Sequence, residues 1–185
     1  MLKKITVAAV LLSLSAATYA AEPPARGAYL GAGYGSSTYD DDGAFRGLFF
    51  DDTDNSLQLF GGYKFLKHLA VEGRYQSFGS FTLRDLQTVD IDVSTLSVHA
   101  VGIVPFGTSG WELFGHLGLG VVSQDVGSFD DNVAAIGGGL GVRWYAARNF
   151  ALAAQTDVFV WEDDSLGPTL DVSAGATQIA FQFVF

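Results

Sequence analysis

The stretch that decides the fold is Asp171-Val-Ser-Ala-Gly-Ala-Thr-Gln-Ile-Ala-Phe-Gln-Phe-Val-Phe185. Bulky apolar side chains recur in it at every second position, namely Ile179, Phe181, Phe183 and Phe185. Gln178 and Gln182 fall on the opposite face. A period of two indicates a β-strand. Large apolar groups on one face and small or polar groups on the other are typical of a closed barrel in lipid. We therefore expect the rest of the chain to supply the other strands.

The first twenty residues have the pattern of a secretory signal peptide. Lys3 and Lys4 supply the positive start, and a short apolar run covers Ile5–Leu14. A membrane-spanning helix is the alternative, but it would need roughly 20 apolar residues. We predict cleavage after Ala20, a short periplasmic lead over residues 21–27, and one barrel domain over residues 28–185.

Composition narrows the class of protein. The sequence has no cysteine, is 49% hydrophobic and only 16% charged, and contains 23 Gly and 15 Phe. No later segment has 18 uninterrupted apolar residues, so apolar content without a spanning helix favours an outer-membrane barrel. Without Lys3 and Lys4, 8 of the 10 basic residues remain against all 20 acidic ones. That acidic balance argues against nucleic acid as a partner.

Alternation of apolar and polar residues recurs along the whole predicted barrel domain. The predicted strands cover 28–37, 56–65, 93–104, 133–145, 150–161 and 171–185, with two more starting at Leu69 and Trp111. Predicted outer loops cover 39–55, 79–91, 125–132 and 162–170, and the third strand extends into the second loop. Eight is an even number, as closure of a single-chain barrel requires. The predicted fold is all-β, an eight-stranded antiparallel up-and-down transmembrane β-barrel.

Aromatic residues cluster near the predicted membrane edges. They are Tyr63, Trp111, Trp144, Tyr145, Phe150 and Phe185 near the turns, and Trp161 near an outer loop. We interpret them as interfacial girdles. A soluble β-sandwich or lipocalin-like barrel would turn its large apolar face inward. Here the bulkier apolar faces carry almost no charge, which favours the membrane barrel.

Short motifs resemble those of a known family. Gly62-Tyr63-Lys64-Phe65, Ala70-Val71-Glu72-Gly73-Arg74-Tyr75 and Gly79 are similar to the signature of the OmpA-like transmembrane β-barrel family. Ala28-Tyr29-Leu30-Gly31-Ala32 resembles the first strand of that family. The resemblance implies an outer-membrane location, short periplasmic turns and long outer loops. Longer family members carry a peptidoglycan-binding domain after the barrel, and this chain ends at Phe185, so we do not expect cell-wall tethering.

The same resemblance implies partners. In that family, a last strand with a terminal Phe and apolar residues at alternate positions resembles the signal that the barrel-assembly machinery reads. Here Ile179, Phe181, Phe183 and Phe185 would carry this signal. Outer-membrane lipids, lipopolysaccharide and periplasmic chaperones are the other expected partners. We expect the protein to be a monomer.

Charged residues fall on the predicted inner face. An eight-stranded barrel is just wide enough to be filled by side chains, and charges inside it must pair. We predict a luminal ion-pair network of Glu72, Arg74, Glu112 and Arg143, with Lys64, His116 and Asp157 around it. The favoured interpretation is a polar core, and the other is a gate for water or small ions.

No catalytic, cofactor or metal site is predicted. Sixteen of the 20 acidic residues lie in or near the predicted outer loops, but Asp40-Asp41-Asp42-Gly43 lacks the ligand spacing of a calcium loop. Ser97, His99 and Glu112 form a candidate catalytic trio, but Ser97 and His99 share the inner face, where structural packing is the favoured role.

The sequence thus predicts a non-enzymatic outer-membrane barrel that contributes to envelope integrity and displays acidic loops. Two alternatives stay open. One is a narrow water or ion channel gated by the luminal ion pairs. The other is a surface adhesin or host-interaction protein, which would use the loop aromatics Phe45, Phe49 and Phe50.

Overall fold

The computed structural model describes residues 21–40, 50–51, 53–84, 88–126, 129–163 and 170–185. The predicted signal peptide, residues 1–20, lies outside the described residues. In the part that is described, there is no helix of the length and apolarity needed to cross a bilayer.

Eight long strands close a barrel, and a two-residue strand adds to its rim. The strands are β1 (Gly27–Asp40), β2 (Phe50–Asp51), β3 (Thr53–Leu66), β4 (Leu69–Arg84), β5 (Thr88–Pro105), β6 (Trp111–Val126), β7 (Phe129–Ala147), β8 (Phe150–Asp163) and β9 (Leu170–Val184). Each long strand pairs antiparallel with its neighbours in the chain, while β2 pairs only with the far end of β4. The eight-stranded antiparallel fold predicted from the sequence is confirmed.

The first and last strands complete the ring. Their pairs run from Tyr29 with Val184 to Asp40 with Ser173. An unpaired strand edge in lipid would leave backbone groups without partners at a cost of several kcal/mol each. The closed barrel predicted from the sequence is therefore confirmed.

The stagger of the strands fixes the width of the barrel. Starting at Tyr29 and moving from partner to partner through every strand, one returns to β1 at Tyr39, ten residues further on. Eight strands with this stagger tilt by about 35–45° and leave an interior that side chains can fill. The end of the barrel at which β1 begins and β9 ends is the terminal end, and the opposite end is the loop end.

Side chains alternate between the lumen and the outer surface as predicted. Tyr29 is 3% exposed and its neighbour Leu30 is 58% exposed. Inward-facing glycines make room for large side chains. A Cβ added to Gly118 would lie 2.6 Å from the His99 ring. Small residues thus stand beside the rings that fill the lumen.

The strands run further toward the loop end than predicted. Backbone pairing between β6 and β7 continues to Val126 and Phe129, so the predicted loop over residues 125–132 is wrong. In the predicted second loop, β4 extends over residues 79–84, as expected for the third predicted strand, but residues 88–91 also belong to a strand. Beyond the hydrocarbon both faces of a sheet meet water, so the backbone ladder can continue through polar sequence. Polar composition alone therefore places the strand ends too early.

Two of the seven predicted girdle aromatics face the lumen instead. Tyr145 is 1% exposed and Trp161 is 2% exposed. Each follows an outward-facing neighbour, Trp144 or Val160, so the two-residue period turns it inward. The placement of both in a girdle was wrong. Trp111 and Trp144, directly paired across β6 and β7, are partly exposed, with ring centroids 6.2 Å apart.

Candidate functional site

The lumen is the candidate functional site, because the four charged residues of the predicted network are buried there. Two charged groups and two apolar clusters of buried side chains fill it. The apolar cluster toward the terminal end consists of Tyr29, Phe60, Ala70, Val101, Ile103, Phe114, Tyr145, Ala151, Ala153, Ala180 and Val184. The terminal group contains Lys64, Glu112 and Arg143, and the middle group contains Glu72, Arg74, Ser97, His99, His116 and Asp157. The apolar plug lies toward the loop end and consists of Tyr39, Phe78, Val93, Val122, Ala135, Phe159, Trp161, Val172, Ala174 and Ala176.

Glu112 organises the terminal group. Lys64 Nζ donates a hydrogen bond to Glu112 Oε1 over 2.6 Å. Arg143 Nε lies 3.5 Å from Glu112 Oε2, which is an ionic contact. Arg143 also donates to the side chain of Gln182, and its guanidinium carbon lies 4.8 Å from the centre of the Phe114 ring. One buried carboxylate thus faces two cations.

Arg74 organises the middle group. Its Nη1 donates to Asp157 Oδ1 over 2.7 Å, and its Nε donates to Glu72. The Tyr29 hydroxyl donates to Glu72 Oε2 over 2.9 Å. The Tyr29 ring centre also lies 6.0 Å from the guanidinium carbon of Arg143. Tyr29 therefore lies between the middle and terminal groups.

A hydrogen-bonded row of side chains extends the middle group. Ser97 Oγ lies 2.8 Å from His99 Nε2, His99 Nδ1 lies 3.2 Å from His116 Nδ1, and His116 Nε2 lies 2.8 Å from Asp157 Oδ1. Glu112 is not part of this row, because it pairs with Lys64 and Arg143. The structure therefore does not assemble Ser97, His99 and Glu112 into a trio. Ser97 is also buried, so its hydroxyl is closed to a lipid arriving from the membrane.

The four residues of the predicted network fall into two groups. Glu72 pairs with Arg74 in the middle group, and Glu112 contacts Arg143 in the terminal group. Of the three surrounding residues, Lys64 joins the terminal group, and His116 and Asp157 join the middle group.

The buried charges balance. Among the described residues, three cations (Lys64, Arg74 and Arg143) and three carboxylates (Glu72, Glu112 and Asp157) are buried. Removing an ion from water costs several kcal/mol unless a partner and hydrogen bonds compensate. Each of these ions has an opposite charge in contact, as a compact polar core requires.

The apolar plug was missed by the sequence analysis. Phe78 and Phe159 are both 0% exposed and meet edge to face, with ring centroids 5.9 Å apart. The ring of Trp161 lies 6.1 Å from that of Tyr39. The two-residue period contained the signal, because Phe159 lies between the outward-facing Val158 and Val160. The lumen therefore has an apolar filling besides the charged one that the sequence predicts.

Inward-facing glutamines add hydrogen bonds across the lumen. Gln58 donates to Gln76 over 3.1 Å and accepts from Gln155 over 2.8 Å. Gln155 also donates to Asp157 over 2.9 Å. Amide side chains thus connect β3, β4 and β8 across the lumen and extend the hydrogen bonding of the middle group.

The remaining predicted residues lie outside the lumen. The side chains of Ile179, Phe181, Phe183 and Phe185 face outward and are exposed. Phe45, Phe49 and most of the acidic run 40–43 lie outside the described residues, and Phe50 is described only by its backbone pairing with Leu83.

Comparisons with known proteins point to one class of barrel. The family profile described as outer membrane protein beta-barrel domain matches residues 6–185. No curated protein matches the sequence significantly.

Several solved structures have a similar fold. The Neisserial surface protein A aligns with a TM-score of 0.61 and 16% identity, over 88% of this chain and 100% of that one. OprG from Pseudomonas aeruginosa has a TM-score of 0.54 and 17% identity, over 90% and 98%. Ail of Yersinia pestis, solved with the heparin analogue sucrose octasulfate, has a TM-score of 0.54 and 17% identity, over 86% and 100%. At this identity the likeness shows a shared fold.

Proposed function

Because the chain belongs to the family of outer membrane protein β-barrel domains, we propose that it is a sealed, non-enzymatic barrel. In this role it contributes to the integrity of the outer membrane and displays an acidic surface at its loop end. The observation that carries the proposal is the filling of the lumen, where two groups of ion-paired side chains, whose buried charges balance when taken together, lie beneath an apolar plug.

The apolar plug argues against a conducting pore. A hydrated ion crossing the barrel would have to pass side chains such as Phe78 and Phe159, which are fully buried. Transfer of an unpaired ion into apolar surroundings is strongly unfavourable. Rearranging the ion pairs beneath the plug would not remove this barrier.

The loop end supports the acidic part of the proposal. Strand register places Asp92 opposite Asp125, and Asp125 opposite Asp130. Like charges at directly opposed positions destabilise a sheet. A row of this kind is better explained by a role at the cell surface than by a role in folding.

Bilayer recordings distinguish the sealed barrel from a channel gated by ion pairs. We expect no conductance steps from the purified protein and none from Arg143→Ala, because the apolar plug is intact in both. A gate built on the terminal group would instead conduct, or would begin to conduct once Arg143 is replaced. Leu117→Ala on the lipid-facing surface serves as the matched control. Steady conductance steps from the unmodified protein would overturn the proposal.

A further inference from the structure

Side chains at the terminal mouth of the barrel are buried although they stand at the ends of their strands. Glu112 is the second residue of β6 and is 0% exposed, and Val184 is the last residue of β9 and is 7% exposed. Lys64 and Tyr145, which lie two residues before the last residues of β3 and β7, are 4% and 1% exposed. An open mouth would leave such residues in water, so other parts of the chain must cover them.

The segment before β1 lies where that cover is needed. Ala21 N donates a hydrogen bond to the backbone oxygen of Tyr145 over 3.1 Å. Tyr145 belongs to β7, whereas the segment enters β1 at Gly27, and β8 and β9 lie between these strands in the ring. Residues 21–26 therefore link rim positions on two strands that are not adjacent.

The composition of this segment suits a cover. Pro23 and Pro24 are half-buried, while Glu22 and Arg26 are exposed. Proline has no backbone N–H, and a Pro-Pro pair favours an extended chain without internal hydrogen bonds. Such a segment can lie across the mouth without leaving buried donors at these two positions.

Tyr145, which accepts the hydrogen bond from Ala21, is itself held in place by the rim. Tyr145 N donates to the backbone oxygen of Gly110 over 2.8 Å, which ties β7 to the turn before β6. The carbonyl that receives Ala21 thus belongs to a residue held by the rim on the far side of the mouth.

We propose that residues 21–26 form a strap that closes the terminal mouth and keeps water from the Lys64–Glu112 ion pair. The strap and the apolar plug then enclose the ion pairs from opposite ends. A strap of this kind goes beyond the proposed function, because the plug alone is sufficient to block conduction.

Lysine acylation tests the strap with an internal control. After residue 20 the sequence contains two lysines, Lys64 and Lys67, and Lys67 is exposed in the turn after β3. Protein purified from outer membranes is treated with an amine-reactive acetylating reagent, and peptide mass spectrometry measures the rate at each lysine. We expect Lys67 to react and Lys64 to be protected. Equal rates at the two lysines would refute the strap.

The ion pair with Glu112 by itself slows acylation of Lys64. Two variants therefore measure how much of the protection is due to the strap. Deletion of residues 23–25 shortens the segment by about 10 Å in extended form, so Ala21 can no longer reach Tyr145. Insertion of three glycines after Ala25 instead lengthens and loosens the strap. This second variant can be measured if the deletion variant does not assemble. We expect either variant to speed acylation of Lys64 by about tenfold or more while Lys67 is unchanged, as removal of a local closure implies. The variant Glu22→Gln, which changes an exposed strap residue, should leave both rates unchanged.

Unchanged protection of Lys64 in both folded variants would overturn the strap, because something else would then cover the mouth. That outcome is distinguishable from failure of the sealed barrel, which is measured by conductance. A reactive Lys64 with no conductance means an open mouth beneath an intact plug.

Discussion

Glu112 is the residue on which the terminal group depends. It contacts both Lys64 and Arg143 in surroundings from which water is nearly excluded. A buried ion pair adds little net stability compared with apolar packing, but removal of one partner leaves an uncompensated charge. The cost of losing Glu112 should therefore greatly exceed that of losing an exposed acid.

We predict that Glu112→Ala lowers the free energy of unfolding by about 3–5 kcal/mol, because two cations lose their buried counter-charge. Glu162→Ala, at an exposed position of β8, should change it by no more than about 0.5 kcal/mol. Urea unfolding in lipid vesicles, followed by tryptophan fluorescence, gives both values. Equal effects of the two substitutions would mean that the lumen is hydrated and that Glu112 is solvated.

Residue identities predicted which side chains face the lumen but not which of them meet. Glu72 and Arg74 are two apart on one strand, so their contact follows from the period of two. The contacts of Arg74 with Asp157 and of Lys64 with Glu112 join strands far apart in sequence. Those pairs depend on the tilt and stagger of the closed barrel, which no local pattern encodes.

Strand β9 closes the barrel, and we predict that it also carries an assembly signal; the two roles can be separated. It closes the barrel through its backbone pairs with β1, and its outward face carries the alternating apolar residues that end in Phe185. Phe185 contributes little to the folded barrel, since the residue is 72% exposed, its ring contacts only the exposed Phe183 among the ring contacts of the described residues, and its N–H donates one hydrogen bond to Ala28 over 3.0 Å.

We predict that deletion of Phe185 impairs assembly in cells much more than it lowers the stability of the refolded protein. The loss of one backbone hydrogen bond at the rim costs about 0.5–1.5 kcal/mol, whereas the assembly machinery would lose the last position of its signal. Quantities of the folded barrel in outer membranes, compared with urea unfolding of the refolded chain, test the difference. Equal assembly of the shortened and full chains would refute it.

The strands also show where sequence patterns stop being informative. Alternation identified the inward and outward faces of each strand, because lipid on one side and a packed lumen on the other constrain every position. Toward the loop end that constraint ends, and β6 and β7 continue as a paired ladder through Asp125 and Asp130. The ends of the strands there are set by backbone hydrogen bonding rather than by side-chain polarity.

For the whole molecule, the decisive feature is a narrow barrel with two kinds of filling. Ion pairs lie among apolar side chains in the terminal and middle parts of the lumen, and apolar rings without ion pairs occupy the part toward the loop end. The sequence indicated the first filling through its inward charges. The plug was not predicted, because an aromatic residue near a membrane edge can belong either to an interfacial girdle or to the lumen. Trp161 is an example.

The most direct test of the sealed lumen is the swelling of proteoliposomes in an isotonic solution of a small neutral solute. Liposomes with the unmodified protein should swell no faster than protein-free liposomes. The double variant Phe78→Ala with Phe159→Ala removes two fully buried rings of the plug and should admit the solute, whereas Leu117→Ala with Leu119→Ala on the lipid-facing surface should not. Circular dichroism confirms that each variant is folded. Rapid swelling with the unmodified protein would contradict the sealed barrel.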